Sequence, residues 1–234
     1  MVKLFAILVM TLDHADRILF GEAAPWATVL GRFAFPLFAF MVARNALYTR
    51  NPRRYAGLLL LFGIISQPVY VWALEHESFW NPLNVLFTLL LGLLAVRAWM
   101  ARRYWALPLL LAAGWWVEYR VEGVALMLAV GIAVHSIRAS GLWHRTTLSA
   151  LLAIGVLAFF LNQASYLPAE VIDNRFVPWV LLAFAIGFAS LHPRLDAAER
   201  RLTWPGFRLF FYAYYPGHLL ALGLVALALG ALAA

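Results

Sequence analysis

The sequence predicts an all-helical membrane protein, a bundle of about nine transmembrane helices. Hydrophobic residues make up 65% of the 234 residues and charged residues 12%, against about 25% charged residues in an ordinary soluble domain. Apolar stretches long enough to cross a bilayer recur from one end of the chain to the other, and lipid tolerates helices because their backbone hydrogen bonds are internal. No soluble domain is left over, so we expect one transmembrane domain over residues 1–234.

Charge and cysteine content exclude several other classes of protein. The net charge of +7 does not indicate a nucleic-acid partner, because the Arg residues lie in short separate loops rather than on one basic segment. The chain has no cysteine, which excludes disulfides, thiol nucleophiles and cysteine-ligated metals. The apolar start after Lys3 resembles a signal peptide, but the charges inside it favour a retained first helix.

Nine windows of about 17–25 residues are apolar enough to be membrane spans. The connections after the second, fourth, sixth and eighth windows are rich in Arg, whereas the other connections hold most of the acidic residues. Because Lys and Arg concentrate in cytoplasmic loops, this alternation predicts a cytoplasmic N-terminus and a C-terminus outside. The predicted spans are 3–20, 26–48, 55–74, 83–100, 104–118, 121–137, 146–163, 176–192 and 207–232.

The first span contains Asp13 and His14, which lipid would not accept without a reason. A charge near the bilayer centre costs at least ~2.5 kcal/mol, so an ionisable group there begins as a functional hypothesis. Arg17 follows Asp13 by four residues and could simply neutralise its carboxylate. A lone histidine inside a membrane could likewise do no more than bond a neighbouring carbonyl.

The second span carries Arg32 and Arg44, which a helix would separate by roughly 18 Å. The chain beyond it adds further arginines in a short segment, a pattern suited to binding phosphate groups. The alternative is that this cluster only reflects the cytoplasmic bias of basic residues and contacts with anionic lipid head groups. The cluster consists of Arg44, Arg50, Arg53 and Arg54.

The last span is predicted to be a broken helix. Pro216 and Gly217 lie inside it and weaken its backbone hydrogen bonding, and His218 follows them directly. Broken helices in membranes tend to line cavities. The alternative is a packing kink with a satisfied histidine.

Polar residues from five spans are predicted to share one layer of the membrane. His14 and His218 each lie roughly 16 Å from the inner start of their helices, and Gln67 lies roughly 18 Å from its own. Arg32 and Thr88 lie roughly 10 and 9 Å below the outer boundary. In a hydrocarbon core of ~30 Å these depths coincide, which makes the layer a candidate site. Gln67 and Thr88 taken singly are more typical of hydrogen bonds between helices.

Several segments carry a family resemblance. They are Asp13-His14 on the first helix, "RFAFPLFAFMVARNALYTRNPRRY" at 32–55, "SQPVY" at 66–70, "NVLFTLLLGLL" at 84–94 and "FYAYYPGHLLAL" at 211–222. In this order they resemble the TraX family, membrane proteins associated with N-terminal acetylation of F-type conjugative pilin. The resemblance implies a multi-pass acyltransferase of the bacterial inner membrane. It would move an acetyl or short acyl group from cytoplasmic acetyl-CoA or another acyl-CoA to a pilin N-terminus or a glycan hydroxyl outside.

Acyl transfer needs a base for the acceptor and positive or hydrogen-bonding groups for the developing oxyanion. With the resemblance as guide, we expect His14 to be the base. Asp13 would orient it or balance its charge, pairing either with His14 or with an arginine of another helix. The remaining expected roles are donor binding by Arg32, Arg44, Arg50, Arg53 and Arg54, polarisation of the thioester by His218 and Arg32, and positioning of the acceptor by Gln67, Asn84, Thr88 and Tyr215.

Two other functions remain open from the sequence. The first is a proton-coupled carrier or flippase in which Asp13, His14 and His218 pass protons, although the chain has no internal repeat of the kind common in transporters. The second is a non-enzymatic assembly protein whose buried charges only fix helix pairing. Neither G-x-S-x-G nor H-E-x-x-H occurs, so the familiar serine and zinc hydrolase motifs are absent. We expect no metal, membrane lipids as neighbours and no nucleic acid.

Overall fold

The computed structural model describes residues 2–21, 23–161, 177–192 and 207–230, and these residues are almost entirely helical. The all-helical fold class predicted from the sequence is confirmed. Within these ranges the extended pairing is an isolated bridge between Leu83 and Val117. The helices are α1 (Val2–Phe20), α2 (Pro25–Gly31), α3 (Ala34–Tyr48), α4 (Pro52–Ala73), α5 (Val85–Met100), α6 (Ala106–Ala113), α7 (Arg120–Ser140), α8 (Arg145–Leu161), α9 (Val177–Ala189) and α10 (Phe207–Ala228), with a 3-10 turn at Gly114–Trp116.

Four helical segments of the described chain are long and apolar enough to cross a membrane. They are Trp26–Tyr48, Pro52–Ala73, Arg120–Ser140 and Leu209–Ala228. Four shorter apolar segments follow the predicted windows as well, at Val85–Met100, Ala106–Trp116, Arg145–Leu161 and Val177–Ala189. The number of spans and the orientation of the chain stay predictions.

Helix α3 lies in the middle of the bundle, where it packs against α1, α5, α7 and α9. Its Ala39, Ala43 and Ala46 are completely buried, and small side chains of this kind let neighbouring backbones approach closely. Phe40 is also completely buried, and its ring lies against Gly187 of α9. The core of the molecule therefore forms around α3, and the residues at its two ends are placed by this packing.

The outer helices bury one face and expose an apolar one. Helix α10 packs against α4 and α1, and α4 continues the outer layer to α5. On α4, Leu60, Leu61, Ile64 and Ile65 are exposed together. A contiguous apolar face of this kind is rare on a water-soluble monomer but suits contact with lipid.

The second predicted span is divided at Arg32, between α2 and α3. Pro36 lies in the first turn of α3 and has no N–H to donate to the carbonyl of Arg32, four residues earlier, while its ring crowds that carbonyl. An uninterrupted helix is therefore disfavoured at this point. The interruption places Arg32 at the junction of two helices instead of in the middle of one.

The break predicted in the last span is not found, because α10 is a continuous helix through Pro216 and Gly217. A proline removes a single backbone hydrogen bond of its helix. Contacts with α4 hold α10 on both sides of that position: Tyr212 stacks on Phe62 at 5.6 Å between ring centroids, and Gly223 lies against Trp72. The segment keeps its helical path, and His218 faces α1.

Candidate functional site

Two histidines from opposite ends of the chain meet inside the bundle. Nδ1 of His14 on α1 lies 2.7 Å from Nε2 of His218 on α10, although the two residues are 204 positions apart. Their rings stack with centroids 5.0 Å apart, and each side chain is only 7% exposed. The predicted convergence of His14 and His218 is confirmed.

A backbone carbonyl sets the hydrogen-bond direction of the neutral pair. Nδ1 of His218 lies 2.8 Å from the carbonyl oxygen of Tyr214, and a carbonyl can only accept. His218 therefore donates from Nδ1, and its Nε2 carries the lone pair that accepts Nδ1–H of His14. When both histidines are neutral, Nε2 of His14 is therefore the ring nitrogen of the pair whose lone pair is not used in this series of hydrogen bonds.

Aromatic and hydroxyl groups hold this pair in place. The Tyr214 ring stacks on His218 with centroids 5.1 Å apart. The Tyr214 hydroxyl lies 2.7 Å from Oγ1 of Thr11, and Thr11 donates its own proton to the carbonyl of Ile7 at 2.9 Å. The Tyr214 hydroxyl must then be the donor to Thr11, since the single proton of that threonine is already used. A second link between α1 and α10 thus lies one turn from the histidines.

A cavity of about 120 Å³ lies beside His14. This is smaller than the ~300–1,000 Å³ of a typical ligand pocket, so the cavity can take a small reacting group but not a whole nucleotide. Within the described residues no three histidine, aspartate or glutamate side chains are grouped to hold a metal ion. The ionisable residues that line the cavity are Asp13, His14, Arg17, Arg32, Glu118, Tyr119 and Tyr215.

Asp13 faces α2 rather than its neighbour His14. Its carboxylate lies directly against Gly31, where an added Cβ would overlap the Asp13 side chain. Adjacent helix positions point about 100° apart, which is why His14 can face α10 while Asp13 faces α2. Gly31 lets the end of α2 approach α1, and the next residue, Arg32, lines the same cavity as Asp13. Of the two pairings left open for Asp13, this geometry favours the arginine of another segment.

Glu118 is a cavity residue that no sequence motif singled out. The predicted fifth span included it, but the helical segment ends at Trp116 and Glu118 lies in the connection before α7. The backbone around it is paired with the start of α5: Leu83 N–H donates to the Trp116 carbonyl and Glu118 N–H to the Leu83 carbonyl, both at 2.8 Å. An acidic residue directly after an apolar run was the one signal in the sequence.

The carboxyl group of Glu118 uses only part of its hydrogen-bonding capacity. Val85 donates a backbone hydrogen bond to it. Its Oε2 atom is buried and has no hydrogen-bond partner in the part of the chain that the structure describes. Burial raises the pKa of Glu118 to about 7, with Arg17 acting to lower the pKa and Asp13 to raise it.

Three of the residues predicted to position the acceptor do not line the cavity. Gln67 donates to the carbonyls of Phe79 and Pro82 at 2.8 and 3.2 Å, and its Oε1 accepts both the backbone and side-chain N–H groups of Asn84 at 2.9 and 2.8 Å. Thr88 accepts the backbone N–H of Tyr119 at 3.5 Å. Because these groups are engaged in holding loops, the placement favours a structural role for all three, whereas Tyr215 does line the cavity.

The predicted donor-binding arginines divide into two groups. Arg32 lines the cavity, whereas the arginine cluster lies at the opposite end of α3 and contributes nothing to the described cavity wall. The cluster residues Arg50, Arg53 and Arg54 are exposed and Arg44 is partly buried, and their role stays a prediction.

Apolar helices that enclose paired histidines and ionisable side chains around a small cavity define a membrane protein with a buried polar site. The chain belongs to the TraX family, since the model of that family, described as TraX protein, matches residues 1–226. Protein TraX of Escherichia coli strain K12 is 31% identical over 97% of this chain and 86% of its own length. A second Protein TraX of Escherichia coli is 32% identical with the same coverage.

A shorter match has a different name. A stretch of 106 residues is 37% identical to the probable fimbrial assembly protein FimC, serogroup H1, of Dichelobacter nodosus. The match covers 40% of this chain and 43% of that relative, so this chain spans less than half of it. No solved structure matches this chain. The family resemblance seen in the sequence is confirmed by the two full-length relatives.

Proposed function

We propose that the chain is a membrane-embedded acyltransferase that moves an acetyl or short acyl group from acyl-CoA to an acceptor at the outer side of the membrane. The acceptor class that we propose is an envelope component, either the N-terminus of a pilus subunit or a glycan hydroxyl. The relative named for fimbrial assembly supports a pilus-related acceptor. The enzyme would lie in the bacterial inner membrane.

The observation that carries this proposal is the hydrogen-bond chain that ends on His14. The Tyr214 carbonyl lies 2.8 Å from Nδ1 of His218, and Nε2 of His218 lies 2.7 Å from Nδ1 of His14. The unused lone pair is therefore on Nε2 of His14, which lines the cavity. A general base needs such an unused lone pair in a defined direction. When His14 gains a proton, its hydrogen bond to His218 becomes charge-assisted and therefore stronger.

The reaction would proceed by direct transfer. Nε2 of His14 takes the proton of the acceptor X–H group while X forms a bond to the thioester carbonyl carbon. The oxyanion that develops lies in a cavity whose wall includes Arg32, a fixed positive charge that stabilises it. The carbon–sulfur bond then breaks, the acyl group stays on X, and the leaving thiolate takes the proton from His14.

The cavity fits the acyl end of the donor, and the rest of the donor would extend towards the arginine cluster. Arg32 and Arg44 differ by twelve positions, roughly 18 Å along a helix. On α3, Phe38 lines the cavity, and Met41, one turn nearer the cluster, is only partly buried. We propose that the extended arm of the CoA lies along this side of α3, with its phosphates on Arg44 and its neighbours.

Mass spectrometry of envelope material tests the function directly. Cells with the wild-type gene, with His14→Ala, and without the gene are compared for proteins and glycans that differ in mass by one acyl group. We expect an acylated species that depends on the wild-type gene and is lost with His14→Ala. The same envelope masses in wild-type and gene-free cells would reject the proposal.

Binding of the donor separates an enzyme from a carrier or an assembly protein. Acetyl-CoA should raise the melting temperature of the purified protein in a concentration-dependent way, because a ligand that binds only the folded state stabilises it. Free adenosine should have no effect at the same concentration. Equal melting temperatures with and without acetyl-CoA would favour the two other functions.

A further inference from the structure

We propose that Glu118 is a second catalytic residue of the cavity, whose Oε2 atom accepts a hydrogen bond from the N–H or O–H group of the acyl acceptor. This inference rests on the proposed acyltransferase function and identifies the side of the cavity where the acceptor binds. The acyl donor would bind at the His14 end of the cavity, where Phe38 and Tyr215 also form part of the cavity wall. The group of the acceptor that donates this hydrogen bond is either an amine or a hydroxyl.

Glu118 is held in a fixed position by backbone hydrogen bonds. Its backbone is paired with Leu83, and its carboxyl accepts the backbone N–H of Val85, the first residue of α5. One carboxyl oxygen is thus held by the protein, while Oε2 is buried with no partner in the described ranges. A buried acceptor atom without a partner lowers the stability of the folded protein, and a bound hydrogen-bond donor would recover this loss.

Glu118 lies on the Arg17 side of His14. Glu118 lies within electrostatic range of Arg17, and Arg17 is three positions beyond His14 on α1, roughly 4.5 Å further along the helix axis. By the predicted topology this is the outer end of α1. An acceptor that enters from outside would therefore pass Glu118 before it reaches His14.

Charged side chains of several segments surround Glu118. Asp13 and Arg17 of α1 act on Glu118 with opposite signs, and His14 and Arg32 line the same cavity. Because burial raises the pKa of Glu118 to about 7, the carboxyl exchanges protons near neutral pH. On the chain that follows it, the charged groups are Arg120 and Glu122.

The proton balance depends on the acceptor. An amine enters as an ammonium, gives one proton to the Glu118 carboxylate, attacks the thioester carbon and gives a second proton to His14. The carbon–sulfur bond breaks and the thiolate takes its proton from His14, so that one proton remains on Glu118 and leaves to solvent. A hydroxyl gives a single proton to His14, which passes it to the thiolate, and Glu118 then only binds the acceptor.

Glu118→Gln tests the proposal, with Glu122→Gln as the matched control. Glu122 also has a buried Oε2 without a partner in the described residues, but it does not line the cavity. Acyl transfer by protein in vesicles is measured with acetyl-CoA and two probes, a short peptide with a free N-terminus and a simple glycoside. For the probe that the enzyme accepts, we expect Glu118→Gln to lower kcat/KM by at least tenfold and to leave KM for acetyl-CoA unchanged. Glu122→Gln should behave as wild type.

The pH profile distinguishes the two acceptor chemistries. With the peptide, wild-type kcat/KM should rise as the pH increases through about 7, since Glu118 must lose its proton. In the glutamine variant the peptide must bind as the free amine, so the rise should move to about pH 8, the ordinary pKa of an N-terminus. With the glycoside the loss should appear in KM for the glycoside alone. If Glu118→Gln does not fold, Glu118→Asp replaces it, and it should raise the acceptor KM because the carboxylate is one methylene shorter.

Three outcomes would count against the proposal. Wild-type kinetics in Glu118→Gln with both probes would reject a role for this residue, and so would an equal loss in Glu122→Gln. A wild-type acceptor KM in Glu118→Asp would do the same if only that variant folds. An absence of acyl transfer by the wild-type protein would instead reject the proposed function, and the role of Glu118 with it.

Discussion

Replacement of His218 by phenylalanine isolates the contribution of the histidine pair. Phenylalanine keeps an aromatic ring next to Tyr214, which stacks on His218 at 5.1 Å. It cannot accept the Nδ1–H of His14, which the native Nε2 does at 2.7 Å. His14 is 7% exposed, so water has little access to replace the lost acceptor.

The expected loss of activity follows from the cost of the unsatisfied donor. A buried donor without a partner costs about 1–3 kcal/mol. If this cost falls on the protonated state of His14 that forms during the reaction, the rate decreases by about 5- to 150-fold, since 1.36 kcal/mol corresponds to a factor of ten. His14→Ala removes the base itself and should cost more, about 10²–10⁴-fold.

The assay is release of the CoA thiol by protein in vesicles, with folding checked by thermal melting. Tyr214→Phe is the control, because it removes the hydroxyl bonded to Thr11 but keeps the backbone carbonyl that sets the direction of the pair. It should retain most of the activity. The double variant His14→Ala with His218→Phe should be no slower than His14→Ala alone, since residues that act as a unit are not additive.

Two results would refute this reasoning. If His218→Phe were as active as wild type, the hydrogen bond to His14 would have no part in the reaction. If the double variant lost activity by the product of the two single losses, the histidines would act independently and no relay would connect them.

The remaining predictions concern the donor and the packing around Asp13. Arg44→Ala should raise KM for acetyl-CoA with little change in kcat, because it removes a phosphate contact far from the reacting carbon. The control Arg103→Ala should leave both values unchanged. A change limited to acceptor preference in Arg44→Ala would contradict the proposed donor orientation. Gly31→Ala should destabilise the protein by about 1–3 kcal/mol in thermal melting, because its methyl group would overlap the Asp13 carboxylate. In an Asp13→Ala background the same change should cost much less, and an equal cost in both backgrounds would show that the overlap is not the cause.

The structure also shows which site predictions could not be made from one residue type alone. Gln67 and Asn84 are polar residues inside apolar spans and are therefore site candidates by sequence, but they form hydrogen bonds with each other and with nearby carbonyls. A sequence shows that a polar group is present, but not whether a partner satisfies it. Glu118 was missed for the opposite reason, since it follows the end of an apolar run and only the pairing with Leu83 places it in the cavity wall.

Helix interruptions were equally hard to place. The Pro216–Gly217 pair predicts a break, but α10 continues through it with contacts to α4 on both sides. The interruption lies at Arg32 instead, four residues before Pro36. Whether a proline interrupts a helix depends on what holds the helix on either side of it, which is decided by packing.

The sequence by itself determined the helical class of this protein, the apolar segments and the similar distance of His14 and His218 from the starts of their helices. Those features follow from local quantities, namely the cost of placing polar groups in lipid and the fixed rise of a helix per residue. Only the tertiary structure decided that Asp13 faces Gly31, that His14 bonds His218, and that Glu118 joins them at one cavity. The direction of a side chain around its helix axis has meaning only once neighbouring helices are packed, because burial against those neighbours determines which groups meet.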